Sequence, residues 1–348
     1  MKAVCFKDVQ QVAMVDLPVP TIQDPADAIV QVRMAGLCGS DLHPFFGREV
    51  GLDVDTAMGH ELVGKIVEVG NDVKNFSVGE NVFAPFSTCC GNCYFCTKQL
   101  PSRCVQAQLF GWVQDGVGLH GCQSEFVRVP LADGTLMKQP DGLSDVSALL
   151  LGDNFSTGYY CAEMAGVKPG GCYAVVGCGT VGLLCIMVAK SMGAEKIFAL
   201  DLVAERRQQA ESLGAIGLDA GDAQAVDLIR QQTAGHGVDA VMELVGVPAA
   251  QTLAYQLLRP GGTMSVIGCH CTPNFSFSPV DAYDKNLTYR TGRCPARHYM
   301  DLLTDRVTSG EFEIDSFVSN RFSPDDCVEA YDVFSNRKDG CLKAVFEF

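Results

Sequence analysis

No uninterrupted apolar run in this chain approaches the roughly 18 residues needed to cross a bilayer, so no membrane-spanning helix is expected. Cationic residues are scarce: Lys and Arg total 26 against 41 Asp and Glu, for a net charge of −15. With no basic run to face phosphates, a general nucleic-acid binder is excluded. The opening stretch MKAVCFKDVQQVAMVDLP has no signal-peptide core, because a charge follows every short apolar stretch. That absence points to the cytoplasm, where thiols stay reduced and disulfides are rare. Internal repeats and low-complexity segments are also missing. What remains is a chain of 348 residues, 47% apolar and with 36 glycines. That is enough for two domains of an α/β enzyme, each with its own core.

Cysteine, by contrast, is abundant. There are 17, an odd count that rules out full pairing. Five fall in the 16 residues CCGNCYFCTKQLPSRC, from Cys89 to Cys104. Cys90, Cys93, Cys96 and Cys104 have the spacing C-x2-C-x2-C-x7-C, which suits four thiolates around a tetrahedral zinc ion. An iron–sulfur cluster is the alternative for the same donors. A four-thiolate site leaves no position for water or substrate, so this metal is expected to be structural. Cys89 breaks the regular spacing and is left out.

The first 150 residues read as β-rich, with short strands such as Ala28–Met34, Gly64–Val69 and Glu125–Val129. From about Asp153 strands alternate with helices. Strands are expected at Tyr173–Val176, Lys196–Leu200, Val238–Glu243 and Gly262–Ile267. Helices are expected at Val181–Met192, Ala204–Leu213, Asp222–Thr233 and Pro248–Leu257. Alternation of this kind means a parallel sheet covered on both faces. The stretch from Arg293 mixes short elements and ends in a strand at Lys343–Phe348. The expected organisation is a catalytic domain of residues 1–154 and 293–348, interrupted by a nucleotide domain of residues 155–292.

Gly177, Gly179 and Gly182 form G-x-G-x-x-G between a strand and a helix, with Thr180 and Val181 filling the turn. The first glycine permits the turn, the second admits a pyrophosphate, and the third lets helix pack on strand. Asp201 ends the next strand, where a carboxylate accepts hydrogen bonds from both ribose hydroxyls and repels a 2′-phosphate. NAD is therefore expected over NADP, with Arg206 and Arg207 close enough to soften the preference.

A closed metal site does no chemistry, so a second, open site is needed. GLCGSDLH supplies Cys38, Ser40 and His43. MGHELVG supplies His60 and Glu61, and LLLGDNFSTGYY supplies Asp153. Cys, His and Asp together offer S, N and O ligands with a fourth position open. Spacing alone leaves them open between a metal site and a packing cysteine, a satisfied histidine and a helix cap. In GCHC, Cys269, His270 and Cys271 follow a strand and read as packing near the nicotinamide. Cys161, Cys172, Cys178 and Cys185 read as small core residues.

Taken together, C-G-S-D-L-H at 38–43, G-H-E at 59–61, the four-cysteine lobe and G-x-G-x-x-G resemble the zinc-dependent medium-chain alcohol dehydrogenase family. The resemblance spans nearly the whole chain. It implies a β-rich GroES-like catalytic domain plus a Rossmann doubly wound parallel-sheet domain. It also implies two zinc ions per chain, a small alcohol or carbonyl substrate, and a homodimer or homotetramer. Cys38, His60 and Asp153 become catalytic-zinc ligands, and Glu61 an alternate ligand. Ser40 becomes the acceptor of the substrate's proton and His43 its relay. Trp112, the single tryptophan, resembles a pocket residue of the secondary-alcohol branch, which also carries an aspartate ligand. Lys343 falls where the family places a cation for the cofactor pyrophosphate. The implied reaction moves a hydride between NAD and a primary or secondary alcohol or polyol. A zinc-free quinone or enoyl reductase of the same fold, or a non-enzymatic NAD or redox sensor, are the competing readings. Neither needs the full ligand set together with the Ser40–His43 pair.

Overall fold

The strand Ala28–Gly36 is buried along almost its whole length because it is paired on both edges. Leu62–Val69 lies antiparallel along one edge. On the other, Phe126–Val129 pairs with its first half and Ala344–Glu347 with its last residues. Asn320–Phe322, Asn81–Ala84 and Met137–Lys138 complete a seven-stranded sheet. Apolar side chains such as Val30, Val32, Leu62, Ile66, Val82 and Leu136 fill its core. In this computed structural model, which describes residues 1–348, the sheet belongs to a unit formed by Met1–Ser156 and Pro295–Phe348. The chain leaves it after Ser156 and returns at Pro295, two residues later at each crossing than the sequence reading placed them.

The second unit, Thr157–Cys294, is built on a six-stranded sheet in which every pairing is parallel. Its strands lie in the order Ile216–Asp219, Lys196–Asp201, Cys172–Val176, Val238–Glu243, Leu258–Val266 and Thr288–Thr291. Strand order reverses on either side of Cys172–Val176, as in a doubly wound dinucleotide fold, so ligand space lies beyond the carboxyl ends of these strands. The helix Thr180–Ser191 starts there. Leu183, Leu184, Ile186 and Val188 are all buried, so hydrophobic burial rather than capping holds it. Gly193, at φ +90°, ends it in the left-handed conformation that glycine adopts without strain.

Two elements differ from the sequence reading. The stretch after Arg293 contains a 13-residue helix, Ala296–Thr308, rather than short mixed elements. Its buried residues Tyr299, Met300, Leu303 and Val307 recur at helical spacing, but charged neighbours dilute the pattern. The strand at Gly262–Ile267 begins earlier, at Leu258, through an irregular start in its pairing with Val238–Glu243. No helix is long and apolar enough to cross a membrane.

Candidate active site

Four donors converge in the first unit. The ligating atoms of Cys38, His60, Glu61 and Asp153 all lie within 4.8 Å of one another. Cys38 follows the end of the central strand. His60 and Glu61 stand at the entry to Leu62–Val69, behind Gly59, whose φ of +85° sets the turn. Asp153 sits where the helix Asp145–Gly152 breaks, at φ −144° and ψ −73°, before Asn154–Ala165 begins. Gly152 allows this, because a Cβ there would collide with the carbonyl oxygen of Ala84.

The Cys38 thiol lies 3.4 Å from Asp153 Oδ2, and His60 Nε2 lies 3.7 Å from the same oxygen. Burial, reinforced by Asp153, raises the Cys38 thiol pKa. Burial also acts to raise the Asp153 pKa, but His60, Lys343 and Cys38 together outweigh it and hold the carboxyl at about 2. Burial favours neutral His60, yet Asp41 and Asp153 together keep its pKa well above the ordinary value. A half-buried cysteine and imidazole and a buried carboxylate around one point are a donor set for a borderline-soft divalent ion. Glu61 adds a further sign of fit: its Oε2 is buried and has no hydrogen-bond partner.

Two partners of the cluster were not singled out in the sequence. Asp41 Oδ1 is 3.0 Å from His60 Nδ1, and Asp41 Oδ2 accepts the Cys38 N–H at 2.9 Å. The Asn154 amide donates to Glu61 Oε1 at 3.0 Å and to Asp153 Oδ2 at 2.9 Å. Asp41 lay inside the quoted C-G-S-D-L-H and Asn154 directly after Asp153, but no spacing rule marked either.

Ser40 Oγ is 3.3 Å from His60 Nε2. His43 is buried in the short helix Leu42–Phe45, and its N–H donates to the Ser40 carbonyl at 3.0 Å. Burial lowers the pKa of its imidazole. Trp112 is half-buried in a small hairpin, Trp112–Gln114 with Val117–Leu119. Lys343 requires a correction. It is 1% exposed, its ammonium pairs with Glu61 and it donates to the Leu37 carbonyl at 2.9 Å. An ammonium sealed in this way serves a buried carboxylate rather than a pyrophosphate. The pairing offsets part of the cost of burying the Glu61 carboxyl, whose pKa burial raises.

The second donor set also assembles. The sulfurs of Cys90, Cys93, Cys96 and Cys104 lie within 4.8 Å of one another. Backbone N–H groups of Cys90, Cys93 and Gln106 point at them from 3.3 to 3.4 Å. Such donors favour thiolates, and the Cys93 pKa falls to about 6, chiefly through the Cys96 N–H. The lobe has no apolar core, because Tyr94 is 69% and Val105 69% exposed. An ion held by the sulfurs would tie the lobe together, and structural zinc in zinc-finger peptides binds with about 10–16 kcal/mol. Cys89 stands apart, buried, with its N–H on Thr135 Oγ1 and its thiol on the Gly134 carbonyl.

In the second unit each glycine of the turn has its own physical role. Gly177 has φ +95°. At Gly182 a Cβ would run into the Gly177 carbonyl, which fixes how closely helix meets strand. Above Gly179 only Arg206 Nη1, at 3.8 Å, comes near, leaving an open cradle beside a guanidinium. Thr180 and Val181 form the first turn of the helix, where N–H groups favour an anion. Asp201 Oδ2 accepts the Cys178 N–H at 2.8 Å and Oδ1 the Val203 N–H at 2.9 Å. The carboxylate therefore also ties the phosphate turn to its own loop. Cys161, Cys178 and Cys185 are fully buried, while Cys172 is half-buried.

A four-thiolate lobe, a mixed S/N/O cluster and a Rossmann unit in one chain define a zinc-binding dehydrogenase that uses a nicotinamide cofactor. Family comparison agrees. Residues 24–141 match the alcohol dehydrogenase GroES-like domain, and residues 180–309 match the zinc-binding dehydrogenase domain. Zinc-type alcohol dehydrogenase B of Aspergillus flavus is 38% identical over 347 residues, covering 97% of this chain and 79% of that protein. The alcohol dehydrogenase TADH from Thermus sp. ATN1 superposes with a TM-score of 0.94 at 34% identity over 100% of both chains. A protein from Sinorhizobium meliloti 1021, solved bound to NADP, superposes at 0.83 with 26% identity over 100% of this chain and 99% of that one. The chain belongs to the zinc-dependent medium-chain alcohol dehydrogenase family. It is an oxidoreductase acting on small-molecule alcohols or their carbonyl counterparts.

Proposed function

We propose that this enzyme interconverts a primary or secondary alcohol, or a polyol, with its aldehyde or ketone, using NAD. The convergence of Cys38, His60 and Asp153, with the Ser40 hydroxyl 3.3 Å from His60 Nε2, carries this reading. Cys38, His60 and Asp153 hold the catalytic zinc, with Glu61 as the alternate ligand; when bound, the ion supplies a Lewis acid that makes a substrate hydroxyl more acidic. Cys90, Cys93, Cys96 and Cys104 hold a second, structural zinc. Ser40 receives the substrate's hydroxyl proton, and His43, which burial favours in its neutral, proton-accepting form, passes it towards solvent. Trp112 contributes an apolar wall to the substrate pocket.

Asp201 supports NAD over NADP, because a carboxylate at this strand end binds ribose hydroxyls and repels a 2′-phosphate. Gly177, Gly179, Thr180, Val181 and Gly182 receive the pyrophosphate, with Arg206 as the adjacent cation. Seventeen cysteines, all of them thiols, favour a cytoplasmic setting, and the assembly is a homodimer or homotetramer. The deciding experiment measures NADH formation by absorbance over a panel of alcohols, alongside elemental zinc. No turnover of any alcohol by zinc-loaded protein would overturn the proposal.

A further inference from the structure

Packing at the end of a strand does not account for Cys269 and Cys271. Both are exposed thiols, and their sulfurs lie within 4.8 Å of each other. The loop beneath them is held from inside. Glu243, fully buried at the end of its strand, accepts the N–H groups of Val245 and Gly246 at 2.8 Å each. Its other carboxylate oxygen lies 3.0 Å from His270 Nε2, and its carbonyl accepts the N–H groups of Ile267 and Gly268. Gly246, at φ +81°, lies so close that a Cβ there would meet the Cys269 carbonyl oxygen at 2.5 Å. His270 is thus anchored on a buried carboxylate, and the thiols on either side of it stand at the surface.

The loop's position gives the pair a purpose. A Cβ on Gly177 would meet Val245 Cγ2 at 2.6 Å, so the phosphate turn touches the 244–246 loop, which in turn touches Cys269. These three loops follow the neighbouring strands Cys172–Val176, Val238–Glu243 and Leu258–Val266. They line the end of the sheet over which dinucleotides bind.

We propose that Cys269 and Cys271 are a dithiol modification site at the rim of the dinucleotide cleft, which disulfide oxidants close into a Cys269–Cys271 disulfide and which bound dinucleotide shields. The shielding rests on the cofactor reading given above; the chemistry of the pair does not. One thiolate attacks a sulfur of glutathione disulfide, forming a mixed disulfide and releasing one glutathione. The second thiolate then displaces the other glutathione and closes the protein disulfide. Two protein thiols are oxidised, one glutathione disulfide is reduced to two glutathiones, and the protons of the protein thiols end on them. Competing thiols are disadvantaged: Cys161, Cys178 and Cys185 are buried, and metal-held thiolates are poorer nucleophiles.

The test treats zinc-loaded, full-length protein with glutathione disulfide, alkylates the remaining thiols and maps peptides by mass. The expected result is loss of two hydrogens from the peptide carrying Cys269 and Cys271. Cys271→Ser should instead retain one glutathione on Cys269. NADH at about ten times its Kd, taken from a fluorescence titration of untreated protein, should slow the reaction about tenfold by mass action. If both thiols stay open to alkylation while other cysteines are oxidised, or if Cys271→Ser gives the wild-type product pattern, the dithiol site is overturned. An unchanged rate with NADH demonstrably bound overturns the shielding. If NADH does not bind untreated protein, the cofactor reading and the shielding fail together, and the rate without cofactor still decides the chemistry of the pair.

Discussion

His60 Nδ1 lies 3.0 Å from Asp41 Oδ1, and the same carboxylate takes the Cys38 N–H through its second oxygen. One side chain thereby orients two members of the cluster, turning His60 Nε2 towards Asp153. Removing a carboxylate behind a ligating histidine typically costs 10–100-fold in metal affinity. Asp41→Ala should therefore weaken the zinc at this site by about that factor, read by competition with a chelator of known affinity. Equal affinities in the two proteins would remove Asp41 from the site.

Ser40→Ala should lower kcat by about 10²-fold or more, the usual scale for loss of a general acid–base group. His43→Gln should cost less, since water partly replaces the outer member of a relay, and its deficit should shrink as pH rises. Zinc content and NADH affinity should remain those of wild type. A pH–rate profile of all three proteins decides this, and full turnover by Ser40→Ala would take the hydroxyl out of the reaction.

Asp201→Gly should raise the Kd for NADH and lower that for NADPH. The first effect has two sources, because the carboxylate also accepts the Cys178 and Val203 N–H groups and its loss loosens the phosphate turn. Asp201→Asn retains an acceptor and removes the charge. It should therefore keep more of the NADH affinity while still admitting NADPH. Wild-type protein that prefers NADPH would contradict the reading of Asp201.

The elements legible in the sequence were those whose pattern is local. Apolar runs gave Val238–Glu243 and Pro248–Leu257 residue for residue, and short cysteine spacings marked the lobe. What escaped depends on direction in space. Lys343 was visible as a cation, but nothing in CLKAVFEF tells that its ammonium points inward to Glu61. Asp41 and Asn154 matter because they face His60 and Glu61, which distant segments contribute. Cys269 and Cys271 read as packing because strand ends are usually covered, and their exposure follows from how Glu243 anchors His270.

Fully loaded protein should contain about two zinc ions per chain by elemental analysis. A mild chelator should abolish turnover before circular dichroism changes, because a zinc held by Cys38, His60 and Asp153 would keep an open position and one held by four thiolates would not. Loss of both ions in one step, together with unfolding, would argue against that division.

Arg33 donates from Nε and Nη2 to the two oxygens of Asp145, at 3.0 and 2.7 Å. These hydrogen bonds hold the Asp145 pKa below the ordinary value. A folded-state pKa lowered in this way stabilises the protein above the unfolded aspartate pKa of about 3.9, and the contribution disappears as pH falls through the folded value. Arg33→Met should thus lower the urea midpoint near neutrality. The gap to wild type should close as the medium becomes strongly acidic. A gap independent of pH would mean that Arg33 acts through packing alone.

Pairing of Ala28–Gly36 with Ala344–Glu347 joins segments that leave the ribosome some three hundred residues apart, and Lys343 reaches Glu61 across 282 positions. The nucleotide-binding unit, by contrast, is one unbroken stretch. It can complete its sheet while the catalytic unit still lacks a strand. Because contacts that distant form slowly, Glu61 cannot be buried with its counter-ion until the last strand docks. A chain truncated before Lys343 should therefore fold its nucleotide-binding half and stall in the other, leaving Cys38, His60 and Asp153 synthesised but unassembled.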